Sequence, residues 1–128
     1  MLEKASSVLK TARLIHSDVE PILDKAGKGD VVYCDPTYTV AHENNGFVRY
    51  NERNFSWQDQ ERLRSASHAA AHRGAVVLIS NAHHSCIRRL YEPAKFKTLH
   101  RISTISRDPN KRRAISEYLI VLCPDGYE

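Results

Sequence analysis

The chain has 128 residues, with 19 Lys and Arg against 15 Asp and Glu, which gives a formal net charge of +4 at pH 7. This length accommodates one domain, and a hydrophobic content of 41% is ordinary for a globular chain. No apolar run approaches the ~20 residues that span a bilayer. The first residues lack the apolar centre of a secretory signal, so we expect a cytosolic protein.

The three cysteines, Cys34, Cys86 and Cys123, are widely separated. They are too few and too scattered for a zinc site or a disulfide framework. Cys34 and Cys123 lie in apolar runs, where a buried thiol is the expected state. The positive net charge is compatible with a polyanionic partner without proving one.

The N-terminal third of the sequence predicts alternating helices and strands. Residues 2–11 predict a weak amphipathic helix, and a short strand is expected from Leu14 to Asp18. An apolar face then continues from Pro21 to Ala26, where glycines end the helix. With the strand that follows at Val31, this alternation predicts a parallel sheet.

The run from Val31 to Cys34 is short, apolar and β-branched, the pattern of a strand buried on both faces. Pro36 cannot continue a sheet ladder, so the strand must end at Asp35. A carboxylate, a proline and the Tyr38 ring therefore come together at the carboxyl end of a strand. Ligands of open α/β sheets bind at this end.

Such a strand end suits a planar amino group. Asp35 and the carbonyl of Pro36 can both accept hydrogen bonds from an –NH2 group, and Tyr38 can stack on the ring that carries it. Asp-Pro turns are common, however. From these residues alone, a turn in which Asp35 caps the following segment remains the alternative.

The middle of the chain predicts a loop, a helix and a second buried strand. Residues 39–55 are polar with isolated aromatics. Ser56 then opens a helix with a capping-box-like Asp59, and Gly74 ends it. Two histidines one turn apart on this helix could bind a metal, but no third ligand is evident. Residues 75–79 predict the strand, which ends at Ser80-Asn81.

The last third predicts a short helix and an antiparallel hairpin. The helix covers residues 86–91, and the strands cover residues 97–105 and 116–123. The turn between the strands, residues 106–113, carries four cations. A turn this basic suits contact with phosphates, although a solvated turn is the alternative.

Asp35-Pro36-Thr37-Tyr38 resembles the Asp-Pro-Pro-Tyr signature of the Dam-type DNA adenine methyltransferases, which modify the exocyclic amine. Further blocks follow in the family's order between about Ala12 and Pro124. They are Leu14-Ile15-His16-Ser17-Asp18-Val19, Gly46-Phe47-Val48-Arg49-Tyr50, Asn54-Phe55-Ser56, Gln58-Asp59-Gln60-Glu61-Arg62-Leu63, Val76-Val77-Leu78-Ile79-Ser80-Asn81, Lys111-Arg112-Arg113 and Ser116-Glu117-Tyr118-Leu119-Ile120.

The resemblance implies an α/β fold, the C-terminal half of a Rossmann-like class I methyltransferase sheet with parallel strands and an antiparallel C-terminal hairpin. Residues 1–128 would form a single partial domain. The family's sheet order is 3-2-1-4-5-7-6, and this chain would supply strands 3 to 7. The family's Phe-x-Gly-x-Gly cofactor loop and its target-recognition segment have no counterpart in the sequence. Without strands 1 and 2, the strand at Val31 would present an unpaired apolar edge.

The resemblance also implies the site residues and their roles. The cofactor would be S-adenosylmethionine and the partner DNA, with Thr37 departing from the family's second proline and Val19 from its usual aromatic residue. The implied catalytic residues are Asp35, Pro36, Thr37 and Tyr38. The implied cofactor-binding residues are Asp18, Val19 and Asp35. The implied nucleic-acid-binding residues are Tyr50, Phe55, Asn81, Lys111, Arg112 and Arg113.

Three functions are therefore open. The first is an adenine-specific DNA methyltransferase, inactive alone and completed by an upstream chain or a second copy. The second is a noncatalytic remnant that binds nucleic acid. A weaker third is methylation of an amide nitrogen in protein or RNA, because the same strand end can hold any planar –NH2 group.

Overall fold

A computed structural model of the chain describes residues 2–40, 54–102 and 114–124. In chain order, its elements are α1 (Leu2–Leu9), α2 (Glu20–Leu23), β1 (Val31–Cys34), α3 (Trp57–His72), β2 (Val76–Ala82), α4 (Ser85–Tyr91), β3 (Lys95–Ile102) and β4 (Ala114–Leu122). None of the described helices is both long enough and apolar enough to cross a membrane.

The four described strands form one mixed sheet in the order β1-β2-β4-β3. β1 and β2 are parallel, whereas β4 is antiparallel to both β2 and β3. The predicted mixed α/β sheet with a C-terminal antiparallel hairpin is confirmed. The order is the one that the resemblance implies for these four strands, and the rest of a Rossmann-like sheet stays a prediction.

One face of the sheet packs on α3 to form the core. Leu63 and Ala70 of α3 meet Val77, Ile79 and Ile120 of the two central strands, and each of these side chains is buried. Val77 and Ile79 share this face because side chains alternate along a strand, whereas the last four residues of β2, from Ile79 to Ala82, are all buried. The core thus fixes which strand residues face α3 and which face away from it.

The helix α3 begins at the capping box that the sequence predicts. The backbone N–H of Asp59 donates to Oγ of Ser56 at 3.2 Å, and the Asp59 carboxylate accepts from the N–H of Ser56 at 2.9 Å. Both groups would otherwise lack partners at a helix start. This end of α3 lies at the carboxyl end of β2, because α3 leads into the amino end of β2 through a tight turn.

The prediction that β1 is buried on both faces is wrong. Val31 and Tyr33 are 70% and 62% exposed, while Val32 and Cys34 pack against the core. β1 is the edge of the sheet, and no described element covers its outward face. We call the outward side chains Val31 and Tyr33, together with the unpaired backbone of β1, the open edge.

The predicted strand from Leu14 to Asp18 is absent from the described structure, which has no regular element there. Leu14 is 86% exposed. A strand requires a neighbour with which to share hydrogen bonds, and residues 14–18 pair with none of the described strands, not even with the open edge of β1. α1 is also exposed throughout its described side chains, so the predicted apolar face of residues 2–11 meets no core.

A close approach between two turns holds α2 against the end of α3. Arg73 donates from Nη2 to the carbonyl of Leu23 at 2.6 Å and from Nε to that of Ala26 at 3.0 Å. Gly74 follows at φ +103°, and a Cβ there would lie 3.0 Å from Cα of Lys28. The position therefore requires glycine for both conformation and space.

Candidate active site

Asp35 lies beside Ser80 at the carboxyl ends of the two parallel strands. The register pairs Cys34 with Ile79, so the next residues along, Asp35 and Ser80, are neighbours on the outward face. The hydroxyl of Ser80 donates a hydrogen bond to Oδ1 of Asp35. One oxygen of the Asp35 carboxylate is therefore held by Ser80. Because Asp35 is exposed, the carboxylate remains accessible to a ligand.

The rest of the Asp-Pro turn lies where the sequence predicts, immediately after β1. Thr37 is exposed, whereas Pro36 and Tyr38 are half-buried. Thr39, the residue after the turn, is buried at 4% exposure and donates from Oγ1 to the carbonyl of Phe55 at 2.9 Å. The turn is thus exposed at Asp35 and Thr37 and anchored in the protein just beyond Tyr38.

A buried chain of polar side chains continues from Thr39. Nε2 of Gln60 donates to Oγ1 of Thr39 at 3.1 Å, and Oε1 of Gln60 accepts from Nδ2 of Asn81 at 3.0 Å. Oδ1 of Asn81 accepts from the N–H of Ala82 at 2.9 Å. Gln60 and Asn81 are fully buried, as polar groups in a protein interior can be when they are hydrogen-bonded.

Asn81 was expected to contact nucleic acid, and that contact stays a prediction. In the described structure its amide is directed into the protein, toward Gln60 and the backbone of Ala82. Phe55, also expected at the DNA interface, is half-buried against the core. Tyr50, Lys111, Arg112 and Arg113 lie outside the described residues.

Asp18 and Val19, the expected cofactor contacts, lie in the segment that leads into α2. Oδ1 of Asp18 accepts from the N–H of Val19 at 2.7 Å. Oδ2 of Asp18 lies 2.5 Å from Nη2 of Arg62, which also binds Glu20 at 2.5 Å and reaches Asp59 at 2.9 Å through Nη1. One guanidinium therefore joins three carboxylates from two segments of the chain.

This cluster changes the acidity of its members. The hydrogen bond from Arg62 is the main cause that lowers the pKa of Asp18, with the N–H of Val19 second. The pKa of Asp59 is also lowered, mainly by the backbone N–H and hydroxyl of Ser56 and then by Arg62. The three carboxylates in turn raise the pKa of Arg62. The cluster is solvent-accessible, so its charges are partly screened.

Cys34 is not arranged as a nucleophile. Burial raises the pKa of its thiol, which keeps it protonated near neutral pH. Its side chain packs toward the core, on the opposite face of β1 from Asp35. The sequence-based view that Cys34 takes no covalent part is consistent with this surrounding.

The sequence has one Gly-x-Gly triplet, Gly27-Lys28-Gly29, and it is in the wrong place for a cofactor loop. It precedes β1 and so lies at the amino end of the strand, away from Asp35. Gly29 has φ +92° and forms the turn into β1. The triplet therefore closes a turn and does not replace the missing Phe-x-Gly-x-Gly segment.

A cavity of about 630 Å³ lies at the same amino end of the sheet. Its lining includes His68, His72, Lys95 and Cys123, and none of the predicted site residues. Among residues 2–40, 54–102 and 114–124, no group of three or more His, Cys, Asp and Glu side chains could hold a metal ion. The cavity and the Asp35 site are therefore separate features.

Sequence reasoning missed Ser80, Gln60, Thr39 and Arg62 as residues that shape the site. Ser80 could have been found, since two parallel strands that end together place it beside Asp35. No sequence signal marks the pairing of Gln60 with Thr39, because the two are 21 residues apart and meet only through packing.

An Asp-Pro turn at the carboxyl end of a parallel strand, on a mixed α/β sheet, is consistent with a methyltransferase domain. A model of the D12 class N6 adenine-specific DNA methyltransferase family matches residues 1–105. The match covers more than half of the chain, and the chain belongs to this family.

Characterised relatives support the assignment. The chain is 36% identical over 86 residues to the DNA N-6-adenine-methyltransferase of Escherichia phage P1, covering 67% of this chain and 11% of that protein. It is 35% identical over 101 residues to the DNA adenine methylase of Vibrio cholerae serotype O1, covering 78% and 36%. It is 27% identical over 122 residues to the type II methyltransferase M1.LlaDCHI of Lactococcus lactis subsp. cremoris, covering 94% and 43%. The chain thus spans less than half the length of these relatives.

Proposed function

We propose that this chain is the adenine-binding part of a DNA methyltransferase that transfers a methyl group from S-adenosylmethionine to the exocyclic amine of adenine. The observation that carries the proposal is the exposed Asp35 carboxylate, held by Ser80 at the carboxyl end of β1. A carboxylate held in this way can accept a hydrogen bond from a planar amine without reorganising first.

The roles of the turn residues follow from what each can offer. Asp35 and the carbonyl of Pro36 accept hydrogen bonds from the amine, which raises electron density on its nitrogen and directs its lone pair. Tyr38 stacks on the adenine ring, and Thr37 takes the position of the family's second proline. The base must leave the duplex, because the amine cannot be reached inside the stack.

The cofactor supplies an electrophilic methyl group on a sulfonium sulfur. Asp18 and Val19 are the proposed contacts on its adenosine side, and Asp35 borders it from the site. Asp18 already engages Arg62, so its carboxylate is oriented before any ligand binds. The described residues provide no glycine loop at this end of the sheet, so the remaining contacts must come from elsewhere.

The proposed completing partner is an upstream polypeptide segment or a second copy of the chain. Val31 and Tyr33 of the open edge are large apolar side chains in water. Edge strands with free backbone groups readily pair with another strand, and proteins usually cover them. The substrate partner is DNA. Its proposed contacts are Tyr50, Phe55, Asn81, Lys111, Arg112 and Arg113.

A second candidate is a noncatalytic remnant that binds nucleic acid. The absent glycine loop favours it, whereas the held carboxylate of Asp35 favours the enzyme. Methylation of an amide nitrogen in protein or RNA uses the same strand end, but nothing else in the structure favours it.

A chimaera separates these candidates. The matched segment of the Vibrio cholerae relative is replaced by this chain, and transfer of tritiated methyl from S-adenosylmethionine to adenine-containing DNA is measured. The proposal predicts transfer that is lost in the Asp35→Ala chimaera. Thermal unfolding and DNA binding serve as controls. A chimaera that unfolds cooperatively and binds DNA but transfers no methyl group would contradict the enzyme and support the remnant.

A further inference from the structure

Three buried side chains, Thr39, Gln60 and Asn81, form a continuous hydrogen-bonded relay from the Asp-Pro turn to the end of β2. The two bonds that join them are 3.1 Å and 3.0 Å long. The relay ends at backbone groups on both sides, at the carbonyl of Phe55 and the N–H of Ala82. It links three segments that are distant in sequence, with α3 supplying the central member.

The direction of every bond in the relay is fixed by chemistry. The Thr39 hydroxyl has one hydrogen, which it donates to the carbonyl of Phe55, so its oxygen accepts from Gln60. The NH2 end of the Gln60 amide must then face Thr39, which leaves its carbonyl oxygen for Asn81. A single arrangement therefore satisfies all three side chains, and a rotation of any one would leave a buried polar group unpaired.

The relay and the Ser80 bond hold opposite ends of the same short segment. Ser80 binds Asp35 at its beginning, and Asn81, the next residue of β2, holds Thr39 at its end through Gln60. The segment from Asp35 to Thr39 is thus fixed at two points by one dipeptide of β2. Thr37 lacks the fixed backbone dihedral that a proline would provide at this position. The turn therefore depends on such external constraints.

We propose that Gln60 is a positioning residue for recognition of the adenine amine. Through Thr39 it sets where the Pro36 carbonyl and Tyr38 lie relative to the Asp35 carboxylate. The identity of the ligand in this inference rests on the proposed function. The constraint that Gln60 places on the turn rests on the buried hydrogen bonds alone. Gln60 itself is fully buried, so it would act through Thr39 and not by direct contact with the base.

Two variants remove the relay with little change in shape. Thr39→Val deletes the hydroxyl, and Gln60→Met replaces the amide by an apolar side chain of similar length. Thr39→Ser keeps the hydroxyl and should behave as the unmodified chain. Ser67→Ala is the matched control, because Ser67 is a fully buried polar residue of α3 whose Oγ has no partner among the described residues.

The first readout is the mobility of the turn, measured by nuclear spin relaxation of the backbone amides of Thr37, Tyr38 and Thr39. The order parameters should be near the rigid value of about 0.85 in the unmodified chain and fall below about 0.6 in Thr39→Val and Gln60→Met. Thr39→Ser and Ser67→Ala should leave them unchanged. Order parameters that stay rigid in both relay variants would overturn the proposal.

The second readout is discrimination between adenine and purine, which lacks the exocyclic amine, at one position of a short single-stranded oligonucleotide. We expect about tenfold tighter binding of adenine, the effect of one hydrogen bond to a charged group. Thr39→Val should lower this ratio several-fold, and Ser67→Ala should leave it unchanged. A full ratio in Thr39→Val overturns the positioning role. A ratio of one in the unmodified chain contradicts the proposed function, while the relaxation data still decide the relay.

Discussion

The hydroxyl of Ser80 donates a hydrogen bond to Oδ1 of Asp35 across the parallel strands β1 and β2. The bond uses one oxygen of the carboxylate, and Oδ2 has no hydrogen-bond partner within the part of the chain that the structure describes. A carboxylate fixed by one oxygen presents the other in a defined direction. This arrangement makes the strand end suitable for a single donor group such as an adenine amine.

Replacing Ser80 should weaken adenine recognition without removing it. In Ser80→Ala the Asp35 carboxylate is free to rotate, and we expect the preference for adenine over purine to fall by about 1 kcal/mol, roughly fivefold. Fluorescence anisotropy with the two oligonucleotides measures the ratio. Ser85→Ala, at an exposed serine just after β2, is the control. An unchanged ratio in Ser80→Ala would show that Ser80 does not orient Asp35.

A side chain at Gly74 should destabilise the fold. Gly74→Ala places a Cβ 3.0 Å from the backbone of Lys28, in a conformation with φ +103°. We expect a loss of about 1–3 kcal/mol in the free energy of unfolding, measured by urea denaturation. Gly27→Ala is the matched control, because its new Cβ would meet nothing closer than 3.5 Å. Equal stability of the two variants would contradict the close approach of the two turns.

His68 should make stability fall as the pH drops below about 6.5. Burial, and then the neighbouring Arg64, lower the pKa of His68 in the folded protein. The unfolded chain, with a histidine pKa near 6.5, therefore binds more protons, and stability falls as the pH drops below that value. His68→Gln should reduce this decline, measured by the melting temperature against pH. His72→Gln, one helical turn on and exposed, is the control, and a decline unaltered by His68→Gln would refute the assignment.

Arg62 should control the acidity of Asp18 more than that of Asp59. Its hydrogen bond is the main cause of the lowered pKa of Asp18, whereas Ser56 dominates at Asp59. In Arg62→Gln the pKa of Asp18 should rise further than that of Asp59, which carboxyl titration by nuclear magnetic resonance detects.

The same cluster sets a stability window at acid pH. Both carboxyls have folded-state pKa values below their unfolded ones, so their contribution is present above about pH 4 and lost as the pH falls through the lowered values. The control for Arg62→Gln is Arg88→Gln, which removes the charge of an exposed arginine of α4. Equal rises at Asp18 and Asp59 in Arg62→Gln would show that the cluster is not arranged as described.

Local features of this chain could be predicted from the sequence. Pro36 ends β1, and Ser56 and Asp59 cap α3, because each depends on residues within a few positions. The strand at Leu14 could not be judged in this way. Its apolar residues fit a strand, but a strand forms only when it pairs with a neighbour, and none of the described strands pairs with these residues.

The position of the Asp-Pro turn could be predicted from the sequence, but the hydrogen bonds that hold the turn in place could not. The sequence predicts that Asp35 and Tyr38 lie at the carboxyl end of β1. It does not predict that Gln60 joins Thr39 to Asn81, because that contact depends on how α3 packs over the sheet. The same packing explains why Asn81 is directed inward, although the family resemblance implied contact with nucleic acid.

The central claim is that Asp35 recognises the exocyclic amine of adenine. Binding of the adenine and purine oligonucleotides is compared in the chain and in Asp35→Ala, which gives a double-mutant cycle between the carboxylate and the amine. The account predicts about tenfold tighter binding of adenine by the chain and a ratio near one in Asp35→Ala, with purine binding unchanged. Equal affinities in the unmodified chain, or a preference that survives in Asp35→Ala, would contradict it.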